Sequence, residues 1–293
     1  MPVQSYLETR CALVDEALER LLPPEETAPT TLHRAMRYSI FAGGKRLRPV
    51  LVLAAAEACG GAMENALPAA CAVECLHTYS LIHDDLPCMD DDDLRRGRPT
   101  SHKVFGDAIA VLAGDALQAM AFESISRMPP ARGYAGADYV SELARAAGSR
   151  HLIAGQVMDL EGEGKTLTSS ELQAIHEGKT AALLTCCTRL GGMSAGCQPA
   201  ALEALTHFGH ALGLAFQVID DILDVTQTSE KLGKTAGKDV AAAKATYPAI
   251  LGLEASRVEA ARLTEEARQA LQPLGEAAQP LQLIADYLLS REY

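Results

Sequence analysis

An apolar segment that ends in a dense run of aspartates is the feature of this chain that most restricts its fold. Residues 66–86 are almost continuously apolar and reach Asp84 and Asp85, and four further aspartates occupy positions 90–93. Six carboxylates within ten residues repel one another, which costs folding free energy unless positive charge lies among them. A solvated charged face is the ordinary explanation of such a run, but the apolar segment places Asp84 at the mouth of a packed core.

Pro87 decides where these carboxylates lie. On a regular helix, Asp84 and Asp90 would be about 240° apart and would face different ways. A proline cannot continue the helical hydrogen-bond ladder, so the helix is expected to end or kink near Leu86. This break is what lets Asp90 fold back toward Asp84.

A second aspartate cluster lies far downstream, in Phe216-Gln-Val-Ile-Asp-Asp-Ile-Leu-Asp224. Asp220 and Asp224 are i and i+4 on one helical face, and Gln217 lies one turn earlier on the same side. Like charges at this spacing destabilise an isolated helix, so this pair also requires a cation. Hard carboxylate oxygens that converge from two helices suit Mg²⁺, which takes few protein ligands and keeps positions for water and substrate phosphates.

The composition favours helices and argues against several classes of partner. Of the 293 residues, 48% are hydrophobic, which is enough for a large core, while aromatic residues make up 4% and Trp is absent. The net charge of −12 argues against nucleic acid or an anionic membrane surface as the main partner. An anionic substrate must therefore be held by local positive groups.

Cysteine usage indicates a cytoplasmic protein. The eight cysteines lie in apolar surroundings without a CxxC pair or a secretory signal, so we expect small, reduced core residues. No apolar run reaches the roughly 18–20 residues of a membrane span, and no membrane insertion is expected.

Helical patterns run through the whole chain. An amphipathic helix is predicted over residues 3–22, and Thr30 or Thr31 is a candidate cap for the next helix, which runs to about Phe41. A glycine break over 42–49 then precedes the apolar run 50–59. Further helices are predicted over residues 66–86, 107–127, 138–160, 170–192, 200–227, 248–271 and 278–290. Since no run of alternating strands and no long linker is present, the sequence predicts one all-α domain over residues 1–293.

Common phosphate and metal motifs are excluded. Gly-Lys-Thr occurs at 178–180 and at 233–235, but the glycine that a P-loop needs five residues earlier is replaced by Gln173 and Thr228. Positions 90–93 lack the alternating pattern of an EF-hand loop, and no HExxH or G-x-S-x-G motif is present. Lysines near glycine breaks remain candidates for phosphate binding as point charges, the alternative for each being a solvated surface lysine: Lys45, Lys179, Lys234, Lys238 and Lys244.

Together these features indicate one kind of chemistry. Two carboxylate clusters that face each other would hold two or three Mg²⁺ ions bridged by a diphosphate, while separate lysines and arginines would hold a second diphosphate without metal. An apolar helical interior lies between them. A hydrocarbon with a diphosphate head fits such a site, and its reaction is metal-assisted departure of pyrophosphate to leave a carbocation.

At these residues the sequence resembles the trans (all-E) short-chain prenyl diphosphate synthases, particularly the bacterial-type farnesyl diphosphate synthases. The resemblance covers nearly the whole chain, and its motifs are Gly43-Gly-Lys-Arg-Leu-Arg-Pro49, Asp84-Asp85-x4-Asp90 with Arg95-Arg96, Gly178-Lys-Thr180, Phe216 to Asp224, and Lys234 to Lys244. It implies an isoprenoid synthase fold, which is a single-domain bundle of long helices around a deep central cavity, and a homodimer.

The resemblance also implies a role for each motif residue. The expected Mg²⁺ ligands are Asp84, Asp85, Asp90, Asp220, Asp221 and Asp224. The expected ligands of the allylic diphosphate are Arg95, Lys179, Lys234 and Lys244. Those of isopentenyl diphosphate are Lys45, Arg48, His77 and Arg96. Thr180 and Gln217 are expected to flank the developing allylic cation, so the catalytic set is Asp84, Asp90, Lys179, Thr180, Gln217 and Asp220.

The implied reaction is a head-to-tail condensation in which the allylic C–O bond ionises, the isopentenyl double bond attacks, and released pyrophosphate takes the proton. A class I terpene cyclase shares the fold and the first aspartate motif, but its second motif mixes Asn, Ser or Thr with Glu. A non-catalytic subunit of a heteromeric synthase typically loses one aspartate motif. This chain keeps both motifs, so an active synthase is predicted.

Product length is predicted from Tyr79 and Ser80. Ser80 is one turn beneath Asp84, about 6 Å along the helix axis, and is small enough to let a hydrocarbon tail pass. Tyr79 is about 140° round from Asp84, so helix geometry alone does not place its ring across a cavity, and an ordinary core tyrosine is the alternative. In the family, a bulky aromatic five residues before the first aspartate commonly gives a fifteen-carbon product. The resemblance therefore implies farnesyl diphosphate, made from dimethylallyl and geranyl diphosphate, with geranylgeranyl diphosphate as the alternative product.

Overall fold

The computed structural model describes residues 3–227 and 245–290, and its regular structure is helical apart from one short hairpin. The all-α fold predicted from the sequence is therefore confirmed. The helices are α1 (Val3–Leu21), α2 (Thr30–Ile40), α3 (Leu47–Ala58), α4 (Met63–Asp84), α5 (Ser101–Phe105), α6 (Asp107–Ser126), α7 (Gly136–Ala147), α8 (Leu152–Gly162), α9 (Ser169–His176), α10 (Ala182–Ser194), α11 (Pro199–Thr226), α12 (Tyr247–Leu251), α13 (Leu253–Ala270) and α14 (Gln279–Ser290).

The long helices pack side by side because most of them are apolar around much of their circumference. α4 lies between α3 and α6, α10 packs against α3 and α11, and α11 packs against α13. The main core is formed where α3, α4, α6 and α10 meet, with fully buried side chains such as Leu51, Leu76 and Leu117. A second apolar cluster joins α11 to α13 through Val218 and Leu263. The assignment of residues 1–293 to one domain stays a prediction.

Several helices differ from the sequence prediction. The predicted helix over 248–271 is divided into α12 and α13 at Gly252, which has a φ of 83°. The predicted helix over 138–160 is divided into α7 and α8, because Gly148 is extended and glycine has a low helix propensity. The predicted helix over 170–192 is interrupted by a π-helical turn at Glu177–Ala181. Neither threonine caps α2, whose N-cap is Pro29 without a side-chain hydrogen bond.

A two-stranded hairpin after the aspartate run was not predicted. Its strands are β1 (Leu94–Arg95) and β2 (Arg98–Pro99), which pair antiparallel. Arg96 and Gly97 at the turn both have positive φ, of 55° and 74°. This pair of left-handed residues is typical of a two-residue hairpin loop, and it turns the chain back immediately after the carboxylates.

Two expectations about exposure are corrected. An 18-residue window of α6 has a mean hydropathy of 1.4 and, on length and composition alone, this helix is apolar enough to cross a membrane, although 39% of that window is buried in the fold. Isolated acidic residues interrupt the apolar run in this helix, so a search for uninterrupted apolar residues does not find it. They do not lower its average hydropathy below that of a membrane-spanning helix. The eight cysteines are free, as expected, but Cys88 is exposed and is not a core residue.

Candidate active site

The first aspartate motif folds back on itself where α4 ends. Helix α4 stops at Asp84, two residues before the predicted break, and Pro87 follows in a turn. The Asp90 backbone N–H donates to the Asp84 carbonyl at 2.8 Å, and the Asp92 N–H donates to the Asp85 carbonyl at 3.2 Å. The backbone geometry thus returns Asp90 to the end of α4, which a continuous helix would not do.

Asp84 carries the clearest electrostatic signature of the motif. Its pKa is raised to about 6, mainly by burial and then by Asp90 and Asp85, while Lys179 and Arg95 act to lower it. The lysine and the arginine therefore do not fully offset the cost of burying this carboxylate beside two others. A further cation beside Asp84 would stabilise the ionised form of this carboxylate.

Asp85 faces a different partner. Its buried carboxylate accepts two hydrogen bonds from Arg95 Nε, at 2.7 and 2.9 Å, in a close ion pair. Asp92 lies 3.5 Å from the same guanidinium. The expected roles of Asp85 as a metal ligand and of Arg95 as an allylic diphosphate ligand stay predictions, because in this structure the two side chains bind each other.

Lys179 and Thr180 lie on the π-helical turn Glu177–Ala181, between α9 and α10. The turn sits directly on α8, where a side chain at Gly155 would collide with the Lys179 backbone. This close approach lets the Lys179 ammonium donate to Asp159 Oδ2 at 2.6 Å. π-turns within α-helices are frequent at functional sites, and here the turn directs Lys179 toward α8 and Asp84.

Thr180 begins a short hydrogen-bond relay. Its hydroxyl donates to Gln217 Oε1 at 2.9 Å, and Gln217 Nε2 donates to Asp221 Oδ1 at 3.0 Å. The other Asp221 oxygen accepts the Tyr247 backbone N–H at 3.0 Å. Asp221 therefore fixes the orientation of the Gln217 amide, which in turn fixes the Thr180 hydroxyl. Its expected role as a metal ligand stays a prediction.

A second group of positive side chains forms around the start of α3. Arg48 Nη1 donates to His77 Nε2 at 3.1 Å. Burial, and then Arg48, lower the pKa of His77 well below its ordinary value, so His77 is neutral and accepts this hydrogen bond. Burial also lowers the pKa of Arg48, while Asp220 on α11 is close enough to raise it.

The glycine break brings two further cations to this group. The Arg96 guanidinium donates to the Gly43 carbonyl, and a Cβ at Gly44 would lie 2.5 Å from Arg96 Cζ. Gly44 has a φ of 116°, which a residue with a side chain rarely adopts. The Lys45 ammonium lies 5.6 Å from the centre of the Tyr287 ring. Of the four residues expected to bind isopentenyl diphosphate, Arg48 is bonded to His77 and Arg96 to the glycine break that carries Lys45.

The two residues expected to set product length lie between one and one and a half turns below Asp84. Ser80 donates to the His77 carbonyl at 2.9 Å and is half-buried. Tyr79 is 4% exposed, and its ring meets His83 edge-on at 5.6 Å between centroids. His83 in turn contacts Gly114 of α6. The Tyr79 ring therefore packs on the α6 side of α4.

The donor set fits Mg²⁺ better than a metal that needs a complete protein cage. Among residues 3–227 and 245–290, no group of three or more His, Cys, Asp or Glu side chains is arranged to hold a metal ion. Mg²⁺ usually takes one or two carboxylates and completes its shell with water and phosphate oxygens. Asp84 with Asp90 on one side, and Asp220 on α11, offer such hard oxygen ligands. Asp224 is buried one turn further along α11.

Some site residues were expected, and others were not. Lys234 and Lys244 lie outside the described residues, so their expected roles stay predictions. Sequence reasoning missed Asp159, although an acidic residue within the apolar stretch of α8 was a signal that it has a buried partner. It also missed the supporting role of Tyr247, which is made by a backbone N–H and so has no signature in the sequence.

A model of one protein family, described as polyprenyl synthetase, matches residues 29–283 of the chain. Among curated proteins, the large subunit 1 of the heterodimeric geranylgeranyl pyrophosphate synthase of Arabidopsis thaliana, a chloroplastic protein, is 51% identical over 98% of this chain and 79% of its own length. The chloroplastic geranylgeranyl pyrophosphate synthase of Capsicum annuum is 50% identical over 98% of this chain and 78% of its own length.

Solved structures agree with this relationship over the whole fold. A putative farnesyl-diphosphate synthase from Marinomonas is 40% identical, with a TM-score of 0.85 over 99% of both chains. A geranyltransferase from Helicobacter pylori, complexed with magnesium and isoprenyl diphosphate, is 35% identical, with a TM-score of 0.86 over 99% of this chain and 97% of its own. These matches cover the residues that form the site.

The raised pKa of Asp84 predicts that this carboxylate destabilises the metal-free protein at neutral pH. Because its folded pKa of about 6 lies above the ordinary value, the cost is fully present above pH 6 and disappears as the pH falls below about 4. In EDTA, Asp84→Asn is therefore expected to raise the free energy of unfolding by about 1–2 kcal/mol at pH 7.5 and by almost nothing at pH 4.

Urea unfolding at the two pH values measures this difference. The exposed Asp107 at the start of α6 supplies the control, and Asp107→Asn is expected to show no such gain. An Asp84→Asn variant that is less stable than the wild type at pH 7.5 would contradict the electrostatic account of this residue.

Proposed function

The chain belongs to the polyprenyl synthetase family and is a prenyltransferase, and we propose that it extends an allylic diphosphate with isopentenyl diphosphate in a Mg²⁺-dependent reaction. The observation that carries this proposal is the meeting of three elements at one point. Lys179 on the π-turn lies within range of Asp84 on α4, and its neighbour Thr180 is hydrogen-bonded to Gln217 on α11. Such an arrangement suits the departure of a diphosphate from a carbon that becomes positive.

In this proposal, Asp84, Asp90 and Asp220 hold Mg²⁺ together with the diphosphate of the allylic substrate. The metal, when bound, neutralises the charge that develops on the leaving pyrophosphate. Lys179 adds a positive charge beside it, and Asp159 binds the ammonium before the substrate arrives. Two or three ions per site are proposed, with the number depending on the bound diphosphate.

The relay on α11 has a separate task. The Thr180 hydroxyl proton is committed to Gln217, so the lone pairs of the Thr180 oxygen remain for the allylic cation. Asp221 prevents the Gln217 amide from turning over, because only its Nε2 can donate to a carboxylate. Fixed dipoles of this kind stabilise developing charge without reorganisation cost.

The second diphosphate is proposed to bind near the start of α3. Arg48 and Arg96 are held by His77 and the Gly43 carbonyl, and both retain N–H groups that a diphosphate can accept from. Since the pKa of His77 is held low, this residue positions Arg48 rather than adding a charge. Isopentenyl diphosphate, the nucleophile, would thus bind at a site without metal, apart from the allylic diphosphate that ionises at the Mg²⁺ site.

The relatives favour a twenty-carbon product. Both curated relatives described above are named geranylgeranyl pyrophosphate synthases, and each is about half identical to this chain. We therefore propose geranylgeranyl diphosphate as the product, in preference to the farnesyl diphosphate expected from the sequence. Farnesyl diphosphate remains the second candidate because the bulky, buried Tyr79 lies five residues before Asp84.

A second copy of the chain is the proposed partner. Helix α6 is apolar enough to span a membrane, yet only 39% of its apolar 18-residue window is buried. Val111 and Leu112 on this helix are 38% and 53% exposed. Large apolar side chains exposed on so apolar a helix favour contact with another protein, and a homodimer is the simplest assembly that buries them. A distinct small subunit is the alternative, since one relative is named as part of a heterodimer.

Product analysis tests the proposed activity. The protein with Mg²⁺, dimethylallyl diphosphate and excess labelled isopentenyl diphosphate is expected to yield a twenty-carbon alcohol after dephosphorylation, and EDTA is expected to stop the reaction. A fifteen-carbon product would select the second candidate. Condensation that continues undiminished in chelator would contradict the metal-dependent mechanism.

Substitution of Tyr79 and Ser80 tests whether these residues limit the length of the hydrocarbon tail. Tyr79→Ala removes a buried ring and is expected to lengthen the product, whereas Ser80→Phe adds one a turn below the aspartate and is expected to shorten it. Both product distributions are measured by chromatography against the wild type, and Val258→Ala on the exposed face of α13 is the control. An unchanged chain length in Tyr79→Ala would place the end of the pocket elsewhere.

A further inference from the structure

Arg46 lies between two residues of the proposed isopentenyl diphosphate site but has a different environment. Lys45 is exposed and Arg48 is half-buried, whereas Arg46 is 4% exposed. Its backbone is left-handed, with a φ of 47° and a ψ of 35°, and its carbonyl accepts the first hydrogen bond of α3 from the Val50 N–H at 3.0 Å. A left-handed residue with a side chain costs roughly 1–2 kcal/mol, so other contacts must stabilise it here.

The guanidinium of Arg46 supplies these contacts. Its Nε donates to Asp15 Oδ1 at 2.8 Å and its Nη1 donates to Glu74 Oε1 at 2.8 Å. Glu74 is 1% exposed, so this is a buried ion pair between the start of α3 and the middle of α4. Burial lowers the pKa of Arg46, but Glu74 and then Asp15 outweigh it and raise the pKa overall. Arg46 therefore stays positively charged although it is buried.

The Arg46–Glu74 ion pair lies next to the hydrogen bond between Arg48 and His77, and both connect the start of α3 to α4. Glu74 and His77 are three residues apart and lie on neighbouring turns of α4. Arg46 binds the first and Arg48 binds the second, at 2.8 and 3.1 Å. Two arginines at the start of α3 thus bind one face of α4. The buried Arg46–Glu74 pair holds α3 in the position in which Arg48 reaches His77.

We propose that Arg46 is a positioning residue whose ion pair with Glu74 fixes α3 against α4 and so aims Lys45 and Arg48 at the diphosphate of the isopentenyl substrate. This inference rests on the proposed function for the identity of that substrate. Arg46 itself is buried beneath the loop and does not contact the substrate.

Steady-state kinetics of Glu74→Gln test the effect on substrate binding. This substitution keeps the size of the side chain and one hydrogen-bond acceptor but removes the charge. The KM for isopentenyl diphosphate is expected to rise at least tenfold, with kcat within threefold and the allylic KM within twofold of the wild type. Arg46→Lys, which keeps the charge without the planar fork, is expected to give the same split. Glu16→Gln, in the exposed pair with Arg20, is the control and is expected to change neither constant.

The His77 tautomer tests the same inference without catalysis. In the wild type, Arg48 donates to Nε2, so the His77 proton is on Nδ1, and ¹⁵N NMR of histidine-labelled protein is expected to show this single tautomer. The signal is assigned through His77→Gln. In Glu74→Gln, the signals are expected to move toward the Nε2–H form because Arg48 is no longer held in register.

The two readouts separate the possible failures. A wild type that condenses no isopentenyl diphosphate overturns the proposed function, while the NMR result still decides whether the ion pair positions Arg48. Unchanged His77 signals in folded Glu74→Gln overturn the positioning role. An equal rise in both KM values, together with a lower melting temperature, also overturns it, because that pattern is a general loss of structure.

Discussion

Repulsion among the aspartates that follow α4 is the constraint on which the rest of this site depends. The fold answers it by giving individual carboxylates different partners: Asp85 is held by Arg95, Asp93 lies 2.7 Å from Lys103, and Asp84 is within range of Lys179. Arg95 is in the hairpin, Lys103 in α5 and Lys179 in the π-turn. These three elements therefore lie close to the end of α4. Asp84 still retains a raised pKa, which means that the protein alone does not complete its neutralisation. A site built in this way is stabilised by divalent cations that arrive with an anionic substrate.

The two groups of cations in the site are prepared in different ways. Lys179 is paired with Asp159 and can exchange that carboxylate for a phosphate oxygen, since an ammonium is a mobile point charge. Arg48 donates a hydrogen bond to neutral His77, which restricts the orientation of its guanidinium before a ligand binds. A mobile charge suits a diphosphate that leaves during the reaction, whereas a rigid fork suits one that only anchors its substrate. This contrast matches the proposed division between the ionising and the attacking substrate.

Much of this arrangement was predictable from local sequence chemistry. The all-α class followed from the helical patterns, and the return of Asp90 to Asp84 followed from Pro87, because a proline disfavours helical geometry at the residue before it and lacks the N–H that would continue the helix. The division of residues 138–160 at Gly148 was missed because the apolar pattern resumes after it. The π-turn at Glu177–Ala181 depends on the contact between Gly155 and the Lys179 backbone, which is a tertiary contact. The pairing of Asp85 with Arg95 was missed for the same reason, since it requires the left-handed turn at Arg96 and Gly97. Membership of a family identified the reaction class, whereas the sequence reading and the relatives favour different product lengths.

The central claim is that Asp84 and Asp220, on two helices, form one metal site that is completed by a diphosphate. Calorimetric titration of Mg²⁺ tests it most directly when it is carried out with and without an allylic thiolodiphosphate, in which the ionising C–O bond is replaced by an unreactive C–S bond. The account predicts weak Mg²⁺ binding to the protein alone, tight binding in the presence of the analogue, and loss of that tight binding in Asp84→Asn and in Asp220→Asn separately. Tight Mg²⁺ binding that is unchanged in both variants would contradict it.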